Sequence, residues 1–280
     1  MITKMRGIEM KKEPLISIIM GIYNCEETLK ESIESIINQT YSNWELIMCD
    51  DNSTDKTYEI AKKFKEKLKN KIILIKNKEN IGLAGSLNHC LEYVNGEYIA
   101  RQDGDDISLS DRLEKQIRFL MENPKYDLVG TSMISFNNKG IIGTRGILKE
   151  TPDVEKLAVL PPFCHATIMT KSNVYKELNG YRVTKYTRRC EDIDLWFRFF
   201  KKGYKGVNIK EPLYMVRDDD ESYKRRNFKS YFYATKVCFD GYKLLNLPIK
   251  SYIYLGKPLL AAIIPTFLKK AYHNKLNQVE

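Results

Sequence analysis

The stretch Leu15-Ile-Ser-Ile-Ile-Met-Gly-Ile-Tyr23 is short, apolar and β-branched, as a strand buried on both faces of a parallel sheet must be. Just beyond it, Leu29, Ile33, Ile36 and Ile37 recur at helical spacing within Glu26 to Gln39, so a helix follows the strand. The alternation repeats downstream, with strands over 45–49, 72–75 and 97–101 and helices over 57–68 and 83–94. Strand and helix taking turns at this spacing predict βαβ units, an α/β fold whose mostly parallel sheet is covered by helices on both faces. A helix over 111–121 follows and ends near Pro124. The pattern then loses regularity, with strands expected over 128–136 and 166–170 and glycine turns at Gly140, Gly143 and Gly146.

The composition is that of an ordinary globular protein: 280 residues, 43% hydrophobic and 29% charged. Disorder, collagen-like repetition and a polytopic membrane protein are excluded on those grounds. Six cysteines are scattered without a Cys-x-x-Cys pair and no secretory leader precedes them, so a reduced, cytosolic compartment is expected. The net charge of +10 is unevenly placed. From Ser222 to Glu280 there are eleven Lys and Arg against two acids, Asp240 and Glu280, so +9 lies in the tail. A nucleic-acid-binding domain more often carries its basic surface on the folded body, and no nucleic-acid partner is expected.

Ligands of parallel α/β sheets bind beyond the carboxyl ends of the strands. Here those ends read Tyr23-Asn24, Asp50-Asp51-Asn52-Ser53 and Gln102-Asp103-Gly104-Asp105-Asp106. Acidic residues therefore collect where a diphosphate and a divalent cation would meet. Asp103 and Asp105 lie two apart, and an extended backbone would project both to one side.

Four separated motifs in order resemble one family: Ile18-Ile-Met-Gly-Ile-Tyr-Asn24, Cys49-Asp-Asp-Asn-Ser-Thr-Asp55, Asp103-Gly-Asp-Asp106 and Cys190-Glu-Asp-Ile-Asp-Leu195. Over about Leu15 to Ser222 the chain resembles the inverting, nucleotide-sugar-dependent glycosyltransferases of family 2, which have the GT-A fold. The resemblance implies a catalytic domain over 1–221, with a nucleotide-binding half over about 14–106 and an acceptor-binding half over 107–221, followed by a basic helical tail over 222–280.

The resemblance also implies roles. Tyr23 and Asn24 lie against the uracil and ribose of a UDP-sugar donor, or else close the core and cap the next helix. Gly21 stands where relatives often carry Pro, Thr or Ser, which removes a side-chain contact to the base. Asp51 accepts the N3 hydrogen of uracil and disfavours cytosine, while Asp50 fits either a binding or a capping role beside Ser53-Thr54-Asp55. Asp105 is the expected direct ligand of Mn²⁺ or Mg²⁺, with Asp103 toward the ribose or the metal; hard cations of this kind favour carboxylate oxygens. Asp192 is the expected base for the acceptor hydroxyl, because an inverting displacement needs one opposite the diphosphate, and Glu191 helps to place it. Arg188 and Arg189 either reach phosphate or stay solvated. His165 is either an acceptor-side residue or a structural one.

Two positions depart from the family pattern. Where relatives have a His two residues beyond Arg217, this chain has Asp219, which keeps metal contact and loses phosphate contact. Gly82 stands where some relatives hold a donor-binding Arg, so that contact is either lost or supplied by Arg101. A sugar-nucleotide-forming nucleotidyltransferase would need a Gly-rich, Arg-containing loop after the first strand, and a Rossmann dehydrogenase would need G-x-G-x-x-G there; Tyr23-Asn24-Cys25-Glu26 is neither. A non-catalytic membrane-bound scaffold has no reason to keep both acidic motifs.

In the tail, Lys229, Lys236, Lys243, Lys250 and Lys257 recur every seven residues, a lysine stripe if helical. Aromatic and aliphatic residues share these segments, and Pro248 and Pro258 should divide them. The apolar run Pro258 to Leu268 has 11 residues, against about 20 needed to span a bilayer. The tail is expected to lie on an anionic membrane surface at the inner face of the cell membrane, which suits a lipid-linked saccharide acceptor, or else to pack on the catalytic domain or form a homodimer contact.

Overall fold

The computed structural model of the chain describes residues 13–145, 150–152, 154–158, 160–218 and 228–257. Nine strands form one sheet: β1 (Ile16–Ile22), β2 (Trp44–Asp50), β3 (Ile72–Lys76), β4 (Tyr98–Arg101), β5 (Ile107–Ser108), β6 (Leu128–Asn137), β7 (Gly140–Arg145), β8 (Met169–Lys171) and β9 (Gly206–Arg217). The strand order is β3-β2-β1-β4-β8-β6-β9-β5, with β7 paired on β6. β3, β2, β1 and β4 run parallel. The chain steps outward from β1 to β3 and returns to lay β4 on the other side of β1, so the strand order reverses between β1 and β4. Such a switch point opens a crevice at the carboxyl ends of the two strands.

β1 explains why both faces are covered. Ile16, Ile18, Met20 and Ile22 pack with Leu29, Ile33 and Ile36 of α1 (Leu29–Ile37) and with Leu113 and Ile117 of α4 (Arg112–Glu122). Ile19, on the opposite face, joins Leu87 and Cys90 of α3 (Leu83–Leu91) and the aromatic side of α6 (Glu191–Lys201). The remaining helices are α2 (Thr57–Lys67), α5 (Ser172–Glu177) and α7 (Phe228–Leu244). Each fully buried isoleucine contributes about 1.5–3 kcal/mol, and the one polar side chain of the strand, the buried Ser17, is satisfied by donating to Glu45 and accepting from the Gly96 amide.

The irregular half departs from expectation at three places. The strand expected over 166–170 is a 3-10 turn, His165–Thr167, followed by the shorter β8; the turn closes because the Thr167 hydroxyl and amide both donate to the Cys164 carbonyl. Gly143 lies inside β7 opposite Ser135 rather than in a turn, and Gly146 falls outside the described residues. The twelve-residue β9 has no counterpart in the expected elements. Its pairing with β6 slips between Thr131 and Ser132, where Ile209 and Pro212 are the successive partners; the extra residues accommodate a proline that cannot donate to the ladder.

The described part of the tail packs on α6. Gly241 lies so close to Phe197 that a Cβ there would sit 2.2 Å from the ring. Tyr242 is fully buried, edge-on to Phe197 at 5.8 Å, and its hydroxyl donates to the Glu155 carbonyl. Asn246, at φ 52°, turns the chain, and Pro248 introduces a 3-10 helix, Ile249–Leu255. Among the described residues no helix is long and apolar enough to cross a membrane. Pro258, the apolar run to Leu268 and Lys269-Lys270 lie outside the described residues.

Candidate active site

The crevice between β1 and β4 is a cleft of about 610 Å³, lined among others by Tyr23, Asp51, Gly82, Arg101, Asp103, Asp105, Arg188, Arg189 and Glu191. Three of the four sequence motifs thus converge from β1, β2 and β4, and the fourth arrives at the start of α6. A larger depression of about 730 Å³ lies between α3 and α5, and Glu92 and Lys176 are its only charged lining residues.

Asp51 is held by three donors. Its Oδ1 accepts from Asn77 Nδ2 (2.8 Å) and the Ile81 amide (2.9 Å), and its Oδ2 accepts from the Gly82 amide (2.8 Å). Gly82 reaches this position at φ 84°, a conformation that favours glycine, so the residue at the expected arginine position serves the carboxylate through its backbone. A carboxylate offers about four acceptor sites, and the fourth, on Oδ2, is not used by these bonds. Asn77 lies outside all four sequence motifs. Its amide is oriented by His89, whose Nδ1 lies 2.7 Å from Asn77 Oδ1.

Tyr23 is 48% exposed at the cleft edge, so it does not close the core. Asn24, at φ 46°, does not cap α1; its Oδ1 accepts from the Thr54 amide and its own amide donates to Ser53 Oγ, tying the first motif to the second. Asp50 is fully buried and accepts from the Ser53 amide, and Asp55 Oδ1 accepts from the Thr57 amide at the start of α2. These two carboxylates serve the loop.

β4 ends at Arg101 and the chain turns, so Asp103 and Asp105 are not presented from an extended backbone as expected. Asp103 faces back to Arg101, which is 3% exposed, in a two-pronged pair: Nη2 lies 2.6 Å from Oδ1 and Nη1 3.0 Å from Oδ2. Burial opposes the Arg101 charge, and the Asp103 carboxylate outweighs it. Asp105 is exposed at the turn and Asp106 is buried. Carboxylate oxygens of Asp103, Asp105 and Asp106 nevertheless lie within 4.8 Å of one another. Burial, and then the charges of Asp103 and Asp105, push the Asp106 carboxyl well above its usual range. Such crowding of hard oxygen donors fits a divalent cation of the Mg²⁺ or Mn²⁺ type.

Arg112 fixes this turn. Fully buried, it donates to Gln102 Oε1, Ser108 Oγ and the Arg101 carbonyl; burial pushes its pKa down to about 10. The Tyr214 hydroxyl of β9 accepts from the Asp103 amide. Arg217, at the end of β9, donates from Nε to the Asp105 carbonyl and from Nη2 to Glu31. Asp219 lies outside the described residues.

Glu191 begins α6 and faces the cleft. Burial, and then the charge of Asp192, push its carboxyl up to about 7, while Arg101 opposes the shift. Asp192 lies in the same first turn of α6, beside the cleft residue Glu191 and not itself among the residues that line the cleft; its charge raises both the Glu191 carboxyl and the Cys238 thiol of α7. Arg188 and Arg189 are exposed in the cleft wall. His165 is buried, 2.7 Å from the Tyr181 hydroxyl and edge-on to Trp196; burial and Arg101 hold its pKa well below the usual histidine range, as suits a structural residue.

The profile of the family Glycosyl transferase family 2 matches residues 17–178. The chain is 50% identical over 273 residues to the "Putative glycosyltransferase EpsE" of Bacillus subtilis (strain 168), covering 97% of this chain and 98% of that protein. It is 34% identical over 211 residues to the "UDP-Glc:alpha-D-GlcNAc-diphosphoundecaprenol beta-1,3-glucosyltransferase WfaP" of Escherichia coli, covering 72% and 77% of the two chains. Its fold is similar to that of S. aureus TarS in complex with UDP-GlcNAc, with a TM-score of 0.66 at 18% identity over 89% of this chain and 71% of that one. The sheet, its switch point and its covering helices are those of the GT-A fold, and the chain belongs to glycosyltransferase family 2.

Proposed function

We propose that the protein is an inverting, metal-dependent transferase that moves a sugar from a UDP-sugar to a hydroxyl of a lipid-linked saccharide, in the synthesis of a cell-surface polysaccharide, at the cytoplasmic face of the membrane. The observation that carries this reading is the meeting in one cleft of the anchored Asp51 carboxylate, the Asp103–Asp105–Asp106 cluster and Glu191. The remaining acceptor site on Asp51 Oδ2 suits the N3–H of uracil, with Tyr23 against the ring and Asn24 near the ribose. A cytosine would present an acceptor to that carboxylate and be repelled.

Asp105, with Asp103 and Asp106 beside it, would hold Mn²⁺ or Mg²⁺, which neutralises the charge that develops on a departing diphosphate. Arg101 sets the orientation of Asp103. The base is Asp192: as the acceptor oxygen bonds to the anomeric carbon, its proton passes to the Asp192 carboxylate and the carbon–oxygen bond to UDP breaks with its electron pair. Glu191, which lines the cleft and whose carboxyl is pushed up to about 7, helps to place the acceptor or Asp192. Residues 14–106 form the nucleotide half and 107–221 the acceptor half. The lipid-linked acceptor is supported by the similarity to WfaP, whose name gives a diphosphoundecaprenol-linked GlcNAc as its acceptor.

Titration with UDP in the presence and absence of Mn²⁺, followed by a screen of UDP-sugars for UDP release with a lipid-linked saccharide acceptor, tests the reading. Metal-dependent UDP binding and acceptor-stimulated release are expected. Equal binding of UDP and GDP, or undiminished turnover in chelator, would overturn it.

A further inference from the structure

Asn77 stands between two depressions. On one side its amide bonds to Asp51 in the wall of the cleft. On the other it lines a hollow of about 370 Å³, together with Lys76, Glu79, His89, Glu92 and Tyr93. His89 belongs to the hollow and is not among the residues that line the cleft, and no step of the proposed reaction uses it.

The Asn77 side chain is 5% exposed and fully engaged. Its Nδ2 donates to Asp51 Oδ1 at 2.8 Å and to Ser86 Oγ at 3.0 Å. Its Oδ1 accepts from Cys49 Sγ at 3.3 Å and lies 2.7 Å from His89 Nδ1. Two hydrogens on nitrogen and two lone pairs on oxygen are all that a side-chain amide offers. The backbone is fixed as well, since the Asn77 amide donates to the Asp50 carbonyl. α3 serves both partners: the Gly82 amide at its N-terminal cap meets Asp51, while Ser86 and His89, three apart and so on one face, meet Asn77.

Charge decides which way the amide points. An ionised carboxylate only accepts hydrogen bonds, so nitrogen must face Asp51 and oxygen must face Cys49 and His89. An amide oxygen also only accepts, so His89 must carry a hydrogen on Nδ1. Of the two donors to that oxygen, the thiol is the weak one, and the imidazole is the closer. Without His89 the amide oxygen would be held by Cys49 alone. An amide turned over would set its oxygen against Asp51 Oδ1, where 2.8 Å now separates a donor from an acceptor. Two acceptors at that separation repel, and the carboxylate would swing off its present direction. It would then gain less from an N3–H donor and repel an N3 acceptor less.

We infer that His89 is a positioning residue that sets nucleobase specificity from outside the cleft: by donating from Nδ1 to Asn77, it holds the Asp51 carboxylate in the direction that accepts from uracil and rejects cytosine. The inference rests on the uridine reading of Asp51 proposed above. Its test compares full-length wild type with His89→Leu, which fills the site without a donor, and with His89→Asn, whose Nδ2 stands as many bonds from Cα as Nδ1 of histidine. Competition binding with UDP and CDP gives the ratio of the two affinities. H89L should lower UDP affinity about threefold to tenfold, the size of one lost hydrogen bond, with CDP affinity unchanged or raised. H89N should restore the wild-type ratio. A role in folding alone would weaken both nucleotides together. Long-range proton–nitrogen spectra of the free wild-type protein, which has three histidines, should show hydrogen on Nδ1 of the residue whose signals vanish in H89N. Four outcomes overturn the inference: hydrogen on Nε2 of His89 alone; H89L with the wild-type ratio; H89L that weakens UDP and CDP equally; or H89N no better than H89L. Wild type that binds UDP and CDP alike would instead overturn the uridine reading of Asp51.

Discussion

Arg101 and Asp103, two residues apart at the end of β4, close a two-pronged ion pair with separations of 2.6 and 3.0 Å. The pair turns the first carboxylate of the acidic motif inward against a buried guanidinium, while Asp105 stays at the exposed tip of the turn. A metal meeting Asp103 must therefore use the lone pairs that Arg101 leaves. Replacing Arg101 with Met leaves three carboxylates crowded around a lost cation, and is expected to cost about 3 kcal/mol. Added Mn²⁺ should raise the melting temperature of R101M by more than that of wild type; an equal rise in both would contradict the electrostatic role.

Asp105 is expected to couple metal to nucleotide. For Asp105→Ala, calorimetric titration with UDP should give the same weak affinity with and without Mn²⁺, whereas wild type should gain at least tenfold from the metal. A metal-stimulated D105A would move the ligand role to Asp103 or Asp106.

On the proposed reading, Asp51 is expected to read the base only while Asn77 holds it. Asp51→Ala should weaken UDP at least tenfold and erase the preference for UDP over CDP. Asn77→Ala removes one of three donors to the carboxylate, worth about 1.5–3 kcal/mol for a hydrogen bond to a charged group, and should show the same defect in smaller measure. Competition binding with UDP, CDP and GDP reads both.

Glu191 gives stability a pH dependence with a definite sign. Burial and the neighbouring Asp192 raise its folded pKa to about 7, from 4.5, so the folded protein keeps a proton that the unfolded chain releases. The stabilisation is full below the unfolded pKa and is lost as pH rises through 7, with a limit of about 3 kcal/mol from the shift. Urea midpoints of Glu191→Gln should fall less than those of wild type between pH 4.5 and 7.5. Asp192→Asn should lower turnover by orders of magnitude with UDP affinity nearly unchanged; a D192N enzyme retaining most of its activity would pass the base role to Glu191.

Gly241 reports on how the tail is held. A Cβ there would meet the Phe197 ring at 2.2 Å, so Gly241→Ala is expected to cost about 1–3 kcal/mol by overpacking. The variant should melt several degrees below wild type; an unchanged Tm would mean that α7 does not dock on α6 in solution.

The first half of the fold was legible because its rules are local. A strand buried on both faces is almost wholly apolar, as Ile16 to Ile22 is apart from Ser17, and the helices between strands declare themselves by their period. Acid-bearing strand ends were likewise visible as Asp50-Asp51 and Asp103 to Asp106. Tertiary structure decided what these residues meet. Asn77, 26 residues from Asp51, becomes its partner only when β2 and β3 pair. Asp103 turns to Arg101 because the buried Arg112, threading hydrogen bonds through Gln102, Ser108 and the Arg101 carbonyl, folds the acidic stretch into a turn. β9 was hidden because Pro212 and the charged Lys210 and Glu211 break its strand pattern, and a bulge against β6 absorbs them. Sequence periodicity named the lysine stripe, yet only packing determined that Ser251, Tyr252 and Leu255 point inward and leave Ile249 and Ile253 in the open: periodicity gives relative angles around an axis, and the surface on which the helix lands sets which angle faces solvent.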